Sequence, residues 1–176
     1  ANLIITIISI ALVAVAALMG AYYGGSAFLQ GQAKANANRI IAAAEQISAA
    51  ANVYSANHGG ARGVTRAQLL NGYLTQMPSI PSDLLPGYDD ASDPTKIGFY
   101  CADFEGSIMN CTLEDWDRIA IQTYSPVICE AIVKIAQGAN ATVQDQGVDN
   151  YLVPGDQKFG CFDNGDADYI FVYRVY

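Results

Sequence analysis

The sequence predicts an α+β fold in which a long N-terminal hydrophobic α-helix packs its second half on a C-terminal globular head with an antiparallel β-sheet. Three observations lead there. No charged residue occurs from Ala1 to Ala33, so the chain opens on an uncharged apolar arm. From Ala33 to Tyr54 small apolar residues recur at helical spacing. Beyond Gly60 the pattern breaks into short helix and strand signals separated by turns, and it ends on the strand-forming run YIFVYRVY. The expected organisation is an arm over residues 1–27, an amphipathic half of the same helix over 28–56, and a head over 57–176.

The arm enters its apolar run at once, in ANLIITIISIALVAVAALM, without the basic n-region of a signal peptide. Either a leader has been removed ahead of Ala1 or the chain was trimmed there. From Leu3 to Tyr23 the run is long enough, at ~1.5 Å per residue, to span the ~30 Å core of a bilayer. Thr6 and Ser9 do not spoil a membrane span, because their hydroxyls can return to the preceding turn of backbone. Gly20, Gly24 and Gly25 follow within six positions. Each costs about 1 kcal/mol relative to Ala in a helix interior, so this stretch is expected to be the softest part of the arm. Tyr22 and Tyr23 suit a membrane interface or the space between packed helices, and both readings stay open.

The amphipathic half places Ala33, Ala37, Ile40, Ala44, Ile47, Ala51 and Tyr54 on one line, with Lys34, Asn36, Asn38, Arg39, Glu45 and Gln46 off it. One helix from about residue 2 to residue 56 is expected, loosened near Gly24, with its small apolar face against its own head rather than in a separate coiled coil.

In the head, Thr65 to Asn71 reads as a short helix with Thr65 as N-cap and Gly72 at its stop. Met77 to Pro94 carries four prolines and reads as a loop. Ile97–Phe104 and Met109–Leu113 read as two strands joined across Glu105 and Gly106. A helix is expected from Thr112 or Leu113 through Trp116 and Ile119 to about Tyr124. Ser125 and Pro126 announce another helix that stops at Gly138. Tyr169 to Tyr176 reads as a strand within the sheet.

Four cysteines allow three pairings. Cys101 and Cys111 fall on the two strands of one hairpin, which favours a local bridge and leaves Cys129 for Cys161. Two disulfides imply an oxidising compartment, and four reduced thiols are the alternative.

Charge is segregated. Up to Gly60 there are two basic residues and one acidic; beyond it there are seven basic and sixteen acidic, within an overall net charge of -8. An acidic head on a near-neutral apolar arm fits a membrane-anchored or filament-forming protein. No basic cluster exists to release counterions, so no nucleic acid is expected as a partner. Little points to chemistry. His58 in NHGG has no nucleophile motif near it and reads as a loop histidine. DNGDAD at 163–168 has the composition of a calcium loop without its alternate spacing or distal Glu, and reads as a turn. The sequence therefore leads to the expectation of a non-enzyme with no catalytic, cofactor or metal residues.

The apolar start, the single long helix with an amphipathic second half, the α+β head, and a Cys129–Cys161 bridge ahead of the last strand together resemble a mature type IV pilin. The type IVb pilins, which include toxin-coregulated, bundle-forming and thin conjugative pilins, are the closer match. LLNGYL followed by PSIPSD is similar to the family's helix and Pro-containing link after the first helix. The resemblance implies a structural subunit that polymerises through its N-terminal helix into an extracellular filament used in attachment, conjugation or motility. It also implies storage in the inner membrane, a prepilin peptidase, an assembly machinery driven by an ATPase, and a methylated amine at Ala1.

Two positions depart from the family. Ile5 stands where most such pilins carry a glutamate that meets the neighbour's N-terminal amine, and Ala1 replaces the usual Phe or Met. Register in such a polymer would then rest on packing of residues such as Leu3 and Ile5, on the Thr6 hydroxyl and on the Asn2 amide. The departure points toward a minor pilin or a divergent lineage. With no proline before Pro78, the resemblance places the non-helical backbone of a filament form near Gly20, Gly24 and Gly25. The competing reading is a monomeric membrane-anchored periplasmic binding or enzymatic domain.

Overall fold

The computed structural model describes residues 2–62, 64, 66–78, 97–102, 108–109, 118–123, 125–145, 153, 157–163, 165 and 169–176. Its first element, α1, is one 56-residue helix from Asn2 to Asn57, on the order of 80 Å long. It runs unbroken through Gly20, Gly24 and Gly25, so the expected loosening is not seen in this single chain. Long helical stretches on both sides carry the three glycines, because propagating a helix is far easier than nucleating one.

All seven residues of the predicted stripe, Ala33, Ala37, Ile40, Ala44, Ile47, Ala51 and Tyr54, are buried. Ile41, Ala43, Ser48 and Ala50 beside them are buried as well. α1 ends in a Schellman-type turn, with Gly59 in the left-handed region at φ 69° and the Gly60 amide donating to the Ser55 carbonyl at 2.8 Å. The NHGG sequence is thus a helix stop.

A short helix, α2, spans Arg66–Leu70 and ends ahead of Gly72 at φ 117°. The expected cap Thr65 and most of the proline-rich loop lie outside the described residues. Val64, Leu69, Leu74 and Met77 bring this segment into the core formed on α1.

The strands are β1 (Ile97–Ala102), β2 (Ile108–Met109), β3 (Arg118–Thr123), β4 (Gln144–Asp145), β5 (Phe159–Asp163) and β6 (Tyr169–Arg174). They form one sheet in the order β2-β1-β3-β6-β5-β4. Pairing is antiparallel except between β4 and β5, which run parallel. The expected antiparallel pairing is present between β1 and β2, with Cys101 opposite Met109, while residues 103–107 and 110–113 of the expected hairpin lie outside the described residues.

Two strand readings need correction. The segment expected to continue a helix through Ile119 to about Tyr124 is β3 from Arg118 onward. In place of that helix the structure uses the two-residue step of Ile119 and Ile121, both fully buried. β5 was not anticipated, because Gly160 interrupts its apolar run.

The C-terminal β6 lies between β3 and β5. Its register makes two cross-strand rows, Ile121–Phe171–Cys161 and Ile119–Tyr173–Phe159, on the face toward the helices. On the opposite face Phe162, Val172 and Val153 form a smaller buried cluster with Ile170 against it. Phe162 also explains the tolerance of Gly160 within a strand. A β-carbon at Gly160 would lie 2.9 Å from the Phe162 ring, so the missing side chain is the space that the ring occupies.

The second long helix, α3, spans Pro126–Gln137 and starts and stops as expected. Ser125 accepts from the Ile128 amide, Pro126 takes the first turn, and Gly138 at φ 103° ends it with its amide on the Lys134 carbonyl. Its Ile128, Cys129, Ile132 and Val133 face the core, and it packs against both α1 and the sheet. The small side chains of Ala37, Ala44 and Ala51 let α1 lie close to these neighbours.

Candidate functional site

The feature that sets this chain apart is the division of α1. Residues 2–32 are all exposed, and Ala33 is the first buried one. This is the helix, among the described residues, that is long and apolar enough to cross a membrane, and none of its most apolar 18 residues is covered by the rest of the chain. Leu3, Ile5, Ile7, Leu12, Leu18 and Phe28 are each more than half exposed. At roughly 25 cal/mol per Å² of apolar surface, so large an exposed area demands lipid or protein around it.

Within the arm the polar groups are internally satisfied. Thr6 donates its hydroxyl to the Asn2 carbonyl and Ser9 to that of Ile5, both at 2.8 Å, and Ser26 donates to Tyr23 at 3.1 Å. An apolar surrounding therefore meets no unpaired hydroxyl from these three residues. Apart from the adjoining residues and backbone of α1 itself, nothing lies within 4 Å of a β-carbon built at Gly20, Gly24 or Gly25, so these glycines make room for no neighbouring element in the single chain. Ala1, the expected modified terminus, lies outside the described residues.

The other half of α1 is locked to the head through Val175, the residue just past β6. The Val175 carbonyl accepts from Ser48 Oγ at 3.4 Å, from Asn52 Nδ2 at 3.4 Å and from Lys158 Nζ at 3.3 Å. Asn52 also donates to the Ser48 carbonyl at 2.8 Å, which fixes its amide over this junction. The polar step in an otherwise small apolar face is thus where helix and sheet are registered. Periodicity alone passed over Ser48.

Cys129 and Cys161 form a disulfide joining α3 to β5, with their α-carbons 5.3 Å apart and both residues fully buried. The other expected bridge is not described, because Cys111 lies outside the described residues.

His58 stands at the end of α1. Its ring stacks on Tyr54 with centroids 4.0 Å apart, and Nδ1 lies 2.9 Å from the Tyr54 carbonyl. Tyr73 meets Tyr54 edge-on at 5.4 Å, completing a small aromatic cap. This histidine ends the helix and belongs to its aromatic cap. In the 163–168 run, Asp163 accepts from the Gly165 amide at 2.9 Å, which is an Asx turn. Among the described residues no group of three or more His, Cys, Asp or Glu is arranged to hold a metal.

Burial raises the Tyr173 phenol above its ordinary pKa, and the negative charge of Glu45 adds to the effect. Burial also raises that of Tyr176, opposed by Arg62, whose guanidinium lies 5.7 Å from the ring centroid. Both tyrosines are held neutral at the helix–sheet seam. Comparison of this chain with family models, characterised proteins and solved structures gives no match.

Proposed function

We propose that this chain is a structural subunit of an extracellular filament of the type IV pilus kind. One observation carries the reading: a single helix gives its uncharged half, residues 2–32, to the surroundings and its other half to the core of the head. Before assembly the arm is a membrane span. On assembly it moves from lipid into a bundle of identical arms, with the heads outside. That transfer exchanges one apolar surrounding for another, so close packing of small residues and directed extrusion must drive it. A prepilin peptidase and a dedicated assembly machinery are the partners this reading needs. Ala1 becomes the methylated terminus, and the subunit has no catalytic role.

The competing reading is a monomeric anchored periplasmic domain, for which the arm is only a tether. Electron microscopy of sheared cell-surface material, with mass spectrometry of the filaments, separates the two. Thin filaments containing this chain support the subunit. Surface material free of such filaments, from cells that accumulate the chain, overturns it. Replacing residues 3–23 by an unrelated apolar 21-mer should abolish filaments and leave membrane insertion intact, whereas a tether tolerates the exchange.

A further inference from the structure

A groove of about 460 Å³ opens where the arm leaves the head. One wall is α1 at Ala33 and Lys34, the first buried and the first charged residues of the helix; the other is the outer face of α3, with Val127, Glu130, Lys134 and Ile135. The opposite face of α3 is sealed into the core, and the groove also takes in the exposed Gln30 of the arm, so this outer face borders the exit of the arm, on the underside of the head. Val127 is 49% exposed and Ile135 37% exposed, which makes the underside partly apolar. Glu130 and Lys134 are ion-paired with each other, so Lys34 carries the groove's excess charge of +1 in a chain of net charge -8.

The length of the arm says what lies against this underside. The 31 exposed residues before Ala33 extend about 46 Å. A bilayer with its headgroup layers is ~40–45 Å thick. A span that put the boundary at Tyr22 and Tyr23 would leave Phe28 and Leu29, 64% and 63% exposed, standing in water. Tilting the arm keeps Leu3 to Leu29 within the bilayer and brings the head down onto its surface, with Phe28 and Leu29 at the boundary of headgroups and acyl chains.

We propose that the outer face of α3, with Ala33 and Lys34, is a foot that rests on the headgroup layer of an anionic phospholipid bilayer. Val127 and Ile135 enter the interface, and Lys34 meets lipid phosphate. The inference rests on the arm spanning a bilayer, which the filament and tether readings share, and it needs no filament.

The test is photo-crosslinking of the full chain in vesicles of mixed phosphatidylcholine and phosphatidylglycerol, at high lipid-to-protein ratio. A benzoylphenylalanine is placed singly at Val127, Ile135, Leu12 or Asn57. Leu12 reports the span, and Asn57, about 36 Å along α1 from Ala33, reports water. Lipid adducts at Val127 and Ile135 roughly tenfold above those at Asn57, enriched in phosphatidylglycerol over its share, are the expected result. Adducts at Leu12 with none at either α3 position overturn the foot and leave the span standing. Subunit–subunit adducts at Val127 and Ile135 in place of lipid also overturn it, assigning the groove to a second copy. No lipid adduct at Leu12 removes the span and the foot together.

Discussion

Ser48 on the long helix donates its hydroxyl to the carbonyl of Val175, next to the chain terminus, across a sequence separation of 127 residues. Ser48 is buried, and the same carbonyl accepts from Asn52 and Lys158. Ser48→Ala therefore leaves the acceptor partnered and should cost about 0.5–1 kcal/mol. Ser48→Ala with Asn52→Ala removes two donors and should cost about 2 kcal/mol or more, with a surplus over the single changes. Urea unfolding of the full chain in detergent micelles measures both.

The bridge between Cys129 and Cys161 closes a loop with a sequence separation of 32. In the chain-entropy view such a loop contributes about 3 to 4 kcal/mol. Replacing both cysteines by Ala should lower stability by that amount and reduce accumulation of the chain, and urea unfolding in micelles reads the loss. Peptide mapping without reductant should recover Cys129 linked to Cys161 and Cys101 linked to Cys111. A Cys101–Cys129 peptide would show the second pairing wrong.

Gly20, Gly24 and Gly25 are helical, exposed and open to an added side chain. Changing all three to Ala should stabilise the isolated arm by roughly 2 to 3 kcal/mol, with the head and membrane insertion unchanged. Under the filament reading the same triple variant should assemble poorly or give stiffer filaments, because bundled arms lose the segment able to extend. Helicity in micelles and the yield of sheared filaments are the two readouts. A filament map with unbroken helix from residue 2 to residue 50 would remove the reason for expecting an assembly defect.

Tyr173 supplies a pH dependence with a definite sign. Burial, then Glu45, raises its folded-state pKa above the ordinary 10.0. Its contribution is complete below pH 10.0, where the phenol is neutral in both states. As pH rises further the unfolded chain loses the proton first, so stability falls until the folded-state group also ionises. Tyr173→Phe should flatten this alkaline decline, and Glu45→Gln should flatten it less. Thermal unfolding followed over alkaline pH measures both.

How much of this was legible depends on which physical signal each segment carries. The α1 stripe could be read because seven residues repeat the helical step over six turns, and tertiary packing uses that same face. α3 could be read from its ends, where Ser125, Pro126 and Gly138 each satisfy a backbone requirement independent of the fold. β3 was misread because its six residues hold too few periods to decide between steps of two and three. β5 was missed because the group that makes Gly160 acceptable, the Phe162 ring, is two residues away on the same face. The junction at Ser48 could not be seen either: a serine in an alanine-rich face carries no signal until the strand end it meets is placed.

Because arm and head share one uninterrupted helix, no swivel separates them. The compass bearing of the head about the helix axis is fixed by the bearing of the arm. Inserting one residue between Gly24 and Gly25 would turn the head by about 100° relative to residues 2–24 while raising it only about 1.5 Å. As long as the glycine segment stays helical, whatever grips the arm thereby chooses which side of the acidic head faces outward. A single insertion in the glycine segment re-aims the whole exposed surface without changing any residue on it.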